Sequence, residues 1–128
     1  MTKIDTSSWI KKVSNLLQVI SLEPRLEILL TIGEGEACVC HLETTLGYRQ
    51  AYISQHLMTL REAGLLTTRR DGKYIFYRLE NPKILDMVDL AARLAGIDLS
   101  IVASWANLSR SSCDCPTCSM EVVTHATA

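Results

Sequence analysis

The sequence predicts a mainly α-helical chain with one small β-hairpin, arranged as a winged helix-turn-helix. Three observations carry that expectation. Apolar residues recur at helical spacing in segments separated by glycine or proline stops. Two strand-like runs around Asp71-Gly72 follow the fourth of these segments directly, a strong local hairpin signal. Basic side chains also concentrate there. Residues 49–78 carry +4, between flanks of -2 (residues 1–48) and -3 (residues 79–128), in a chain of 128 residues and net charge -1. A positive middle is an electrostatic footprint for phosphates, although a solvated basic face has the same composition.

The elements follow in order. Ile10, Val13, Leu16, Leu17 and Ile20 share one helical face, which gives a first helix over Trp9 to Ile20. Ser21 is a candidate cap and Pro24 suits the first turn of a second helix, which runs to Ile32 and stops at Gly33-Glu34-Gly35. Glu36 to Leu46 reads as a third helix ended by Gly47, and Gln50 to Ala63 as a fourth ended at Gly64. Leu65 to Arg70 and Lys73 to Leu79 are the strands of the hairpin. Pro82 opens a long helix through Ala95, extending toward Trp105. Beyond Asn107 the chain turns polar and rich in Ser and Cys. The expected organisation is one domain over residues 1–108 and a Cys-rich tail over 109–128.

Composition narrows the function. With 48% hydrophobic and 21% charged residues the chain is globular. No apolar run approaches ~20 residues, so a membrane partner is not expected. The N-terminus lacks the order of a signal peptide, which leaves the cytoplasm, where the five cysteines are thiols. Catalysis has no candidate set: no Ser/His/Asp arrangement, phosphate loop or carboxylate pair stands out. Cys115-Pro116-Thr117-Cys118 has redox spacing but sits in a polar tail with no βαβ unit around it.

The second helix of a helix-turn-helix lies in the major groove. With Ile53, Leu57 and Leu60 turned inward, Gln50, Ala51, Ser54 and Gln55 face outward and His56 lies near the margin. Gln pairs bidentately with adenine, Ser bonds phosphate or base, and Ala meets a thymine methyl. Arg49 is a phosphate contact at the helix start, and Arg69, Arg70 and Lys73 form a basic hairpin tip. For His56, a DNA contact and a structural place in the helix seam both stay open.

These motifs together resemble the ArsR/SmtB family of metal-sensing repressors. Ala37-Cys38-Val39-Cys40-His41-Leu42-Glu43 looks like the family's E-L-C-V-C-x-L segment. The run from Tyr52 to Leu65 looks like its V-S-x-H-L-x-x-L-x-x-A-G-L signature. Glu23 to Leu29 resembles its P-x-R-L-x-I-L run, so the likeness spans about residues 9–100. The resemblance implies a homodimer built on the first and last helices, seated on palindromic operator DNA and released by metal. By its apolar pattern alone the helix from Ile84 to Leu94 suits monomer core as well as a dimer seam.

The thiols supply the sensor chemistry. Cys113, Cys115 and Cys118 fall within six residues, and Pro116 forbids a regular helix across them. Three soft thiolates meet the pyramidal preference of As(III) or Sb(III). Cys38 and Cys40 are the lesser candidates. Two residues apart in a regular helix they point about 200° apart, and they serve equally as small buried apolar residues. The family's arsenic pattern has Glu43 where a third Cys would stand. With a tail cysteine the pair would instead suit Cd(II) or Pb(II). Zn(II) is less suited, since Asp86, Asp89 and Asp98 have no histidine near them on the last helix. A thiol-redox or persulfide inducer acting on Cys115 and Cys118 is the remaining alternative.

Overall fold

The structure, a computed structural model, describes residues 2–108, with side chains over residues 8–105. The elements are α1 (Thr2–Ile20), α2 (Glu23–Ile32), β1 (Glu36–Cys38), α3 (Val39–Leu46), α4 (Gln50–Glu62), β2 (Leu66–Asp71), β3 (Tyr74–Leu79), α5 (Ile84–Leu94) and α6 (Leu99–Leu108). A winged helix-turn-helix is what the sequence predicts and what these elements form. The tail cysteines Cys113, Cys115 and Cys118 lie outside the described residues.

The core is assembled by the inward faces of α2, α3 and α4. Ile28, Leu29, Leu42, Ile53, Leu57 and Leu60 are wholly buried, and Ile20, Leu66 and Leu79 close the cluster from α1 and the sheet. The predicted stripe Ile53, Leu57, Leu60 is thus the stripe that packs. Gly47 takes a left-handed conformation (φ 76°) and returns its N–H to the Glu43 carbonyl. That closes α3 and sets the turn into α4.

Four local readings need correction. Glu36 to Cys38 is a strand, not the first turn of a helix: β1 pairs antiparallel with β3, giving a three-stranded sheet in the order β1-β3-β2. Three residues are too few to show a period of two, so their apolar spacing was absorbed into that of α3. Ser21 does not cap α2. Its hydroxyl donates back to the Gln18 carbonyl of α1, and Leu22 is the capping residue. The hairpin loop lies one residue later than Asp71-Gly72. Asp71 pairs with Tyr74, leaving Gly72 and Lys73 as the loop, with φ 61° at Gly72. Glycine at the first loop position suits a type II′ hairpin, whose twist matches the strands. Finally, the long helix is two: Gly96 (φ 81°) interrupts it, and Asp98 accepts the Ser100 N–H to start α6.

Candidate nucleic-acid interface and thiol site

The outward face of α4 carries the polar residues named from the sequence. Arg49, Gln50, Ala51 and Gln55 are exposed and Ser54 is half-buried. Arg49 is the capping residue of α4 in extended conformation. Arg69, Arg70 and Lys73 are exposed on the hairpin. The helix set and the wing set are thus both presented to solvent, α4 leading into the hairpin through residues 63–65.

His56 differs. It is 9% exposed, and its Nδ1 accepts from the Arg25 Nε at 3.1 Å. It lies in the α2–α4 seam, the alternative the sequence had left open for it. Arg25 also donates to the Val19 carbonyl at 2.9 Å, tying α1 to the same point. The His56 ring stands edge-on to Tyr52 at 4.6 Å, and Tyr52 leans on Tyr48 at 5.1 Å. Tyr48 donates to the Glu27 carboxylate at 2.6 Å, which pushes its phenol up to about 12. This polar seam pins the DNA-facing helix to α1 and α2. The sequence showed none of these pairings, because Arg25 and His56 are 31 residues apart.

The seam has a pH consequence. Since Nδ1 accepts, the neutral ring carries its proton on Nε2, which is buried without a partner among the described residues. Burial and the nearby Arg25 charge hold His56 below the usual histidine value of 6.5. Above about pH 6.5 both folded and unfolded states are neutral here and nothing changes. Below it the unfolded chain takes up a proton that the folded chain resists, so stability falls with acid. A thermal melt from pH 7.5 to 5.5 should drop more steeply for the wild type than for His56→Gln. Parallel slopes would show that another group controls acid stability.

At the start of α3 lie two thiols. Cys38 ends β1 and caps α3 in extended conformation (φ -87°, ψ 167°); its Sγ accepts the His41 N–H at 3.4 Å. Because Cys38 precedes the helix, the 200° separation expected of a regular helix does not apply to it and Cys40. Cys38 is 2% exposed against Phe76, with Cys40 and Tyr74 packed beside them. Among the described residues no cluster of three metal-ligating side chains occurs.

Glu36 is a functional neighbour that the sequence missed with β1. It grips Arg69 with both carboxylate oxygens, the Nε contact at 3.2 Å, and Arg69 holds its carboxyl below the ordinary carboxylate value. Arg69 is half exposed, so this pair restrains geometry more than it stabilises the fold.

An outward polar helix face beside a basic hairpin, on this topology, defines a winged-helix DNA-binding regulator. The chain belongs to the arsR family of bacterial regulatory proteins. The family pattern described as "Bacterial regulatory protein, arsR family" matches residues 23–68. The chain is 42% identical over 89 residues to the biofilm growth-associated repressor of Xylella fastidiosa, covering 70% of this chain and 78% of that one. It is 49% identical over 65 residues to the arsenical resistance operon repressor of Escherichia coli, covering 50% and 56%. The crystal structure of the transcriptional repressor BigR from Xylella fastidiosa superposes with TM-score 0.64 and 39% identity, over 73% of this chain and 96% of that one. The family and fold are those of DNA-binding transcriptional regulators. No described helix is long and apolar enough to cross a membrane.

Proposed function

We propose that this chain is a dimeric transcriptional repressor that binds palindromic operator DNA and is released when a thiophilic metalloid, As(III) or Sb(III), binds its cysteine thiolates. The observation that carries the reading is the thiol pair at the start of α3, where Cys38 caps the helix and Cys40 follows in its first turn. The likeness to an arsenical resistance operon repressor supports a metalloid inducer, and the family pattern spans this segment. Two thiols leave a three-coordinate metalloid one sulfur short, and Cys113, Cys115 and Cys118 are the remaining thiols of the chain. Each As–S bond forms as a thiol gives up its proton and one hydroxide of arsenous acid leaves as water, with no change of oxidation state.

The dimer reading rests on uncovered apolar rows. Trp9, Ile10, Val13 and Leu17 on α1 are about half exposed, and Leu90 and Leu94 on α5 are 57% and 82% exposed. α5 holds no buried residue, although its apolar side chains fall on one face. A second copy covering these rows would remove apolar surface worth about 25 cal/mol per Å².

The test is operator release by As(III), Sb(III), Cd(II), Pb(II) and Zn(II) with the reduced full chain. Wild type should release with As(III) or Sb(III) at lower concentration than with Zn(II). The Cys38→Ser/Cys40→Ser variant and the Cys113→Ser/Cys115→Ser/Cys118→Ser variant should each lose at least about fivefold in sensitivity, the low end of allosteric coupling. A normal response from one variant removes that set from the site. A response led by Cd(II) or Pb(II) would replace the metalloid by those ions.

A further inference from the structure

We propose that Phe76 and Tyr74 are positioning residues that connect the thiol pair to the cations of the wing. The reading rests on Cys38 and Cys40 being inducer ligands, as proposed above.

The three strands align the connection in one row. Cys38 of β1 pairs with Phe76 of β3, and Phe76 pairs with Arg69 of β2. The guanidinium of Arg69 lies over the Phe76 ring, 4.6 Å from its centre. Tyr74, two residues along β3 and therefore on the same face, carries the ammonium of Lys73 at 5.4 Å from its ring centre. The two rings are 6.4 Å apart. Both belong to the small cluster that contains Cys38 and Cys40. Each wing cation named from the sequence, apart from Arg70, thus rests on a ring, and each ring packs in the cluster of the two thiols.

The packing makes this a mechanical link. Phe76 is 1% exposed and Cys38 is 2% exposed, and the two form one buried cluster. An ion that takes Cys38 as a ligand needs volume on the sulfur side, and close-packed interiors yield by moving neighbours. The neighbour is the Phe76 ring, and what rides on it is Arg69. Arg69 has a second holder in Glu36, which lies on β1 two residues before Cys38. Movement of β1 therefore reaches Arg69 through both its ring and its carboxylate partner. A cation over an aromatic face within about 6 Å is attracted to it, so a shifted ring changes where the cation stands relative to phosphate. Inducer binding would then act inside each wing, in addition to any change in the spacing of two copies.

The experiment measures operator affinity with and without antimonite for the reduced full-length wild type, Phe76→Leu, Tyr74→Leu and Cys38→Ser/Cys40→Ser. Antimony binding is followed separately by thiolate-to-antimony absorption. Wild type should lose about 5–150-fold in affinity on binding antimony, the usual range of allosteric coupling. Phe76→Leu and Tyr74→Leu should still bind antimony with unchanged stoichiometry, yet show less than about a third of that response on a logarithmic scale. A merely structural role would change stability or antimony-free affinity and leave the ratio intact. Should Phe76→Leu fail to fold, the half-buried Tyr74→Leu decides. If the ring variants respond as wild type does while the Cys variant is silent, the thiol site stands and the link through the rings is wrong. A Cys variant that responds normally overturns the thiol reading and this inference with it.

Discussion

Replacing Gln50 and Gln55 by alanine is expected to bring operator affinity most of the way down to the affinity for random DNA. Both are exposed on the first two turns of α4, the part of a recognition helix that meets base edges. A good bidentate contact discriminates by about 1–3 kcal/mol. Two lost contacts therefore cost roughly 30-fold to 20,000-fold in specific binding, with tenfold for every 1.4 kcal/mol. Binding to random duplex should hardly move, because neither side chain carries charge. The slope of log affinity against log salt should also stay as it was, since it counts phosphate contacts. Equal losses on operator and random DNA would assign the glutamines to the backbone instead. A shallower slope is expected when a phosphate-contacting cation such as Arg49, Arg70 or Lys73 is removed.

The second large effect is on the fold that presents this helix. Leu57→Ala should destabilise the chain by about 2–5 kcal/mol. Leu57 is wholly buried and faces the same cluster as Ile28, Leu29 and Leu42, so the cavity is enclosed on all sides. Against a typical total of about 5–15 kcal/mol, that loss should be visible as a fall in melting temperature of roughly 10–20 °C. Met58, the next residue, is 61% exposed, and Met58→Ala should change stability by less than about 0.5 kcal/mol. Similar effects at the two positions would mean that α4 is rotated from the orientation described.

Much of this architecture is legible in the residues because the signals are local. The inward stripe of α4 follows from a period of 3.6, and the hairpin from a glycine turn between strand-like runs. The basic character of the wing is visible as a shift in charge along the chain. What escapes is whatever depends on distant pairing. β1 is three residues long, its strand identity set entirely by hydrogen bonding to β3, 38 residues away in the case of Cys38 and Phe76. Missing β1 hid the Glu36–Arg69 pair and the packing of Cys38 on Phe76. It also made Cys38 and Cys40 look like members of one helix, pointing apart. His56 could be placed only at the edge of the helix face, because its partner Arg25 comes from another helix.

The separation between reader and sensor also changes. Residues 49–79 contain no cysteine, so the sequence alone suggests a signal that reaches the DNA-binding surface from a distance. In the folded chain β3 belongs to that segment and is hydrogen-bonded to the strand that ends in Cys38. One thiol therefore borders the wing directly.

The most direct test is an anisotropy titration of the operator complex of the reduced wild-type chain with arsenite, with protein-bound arsenic counted in parallel. The account predicts that the complex dissociates as arsenic binds, and that excess dithiol, by stripping the arsenic, restores it. Full arsenic occupancy with the complex intact would contradict it.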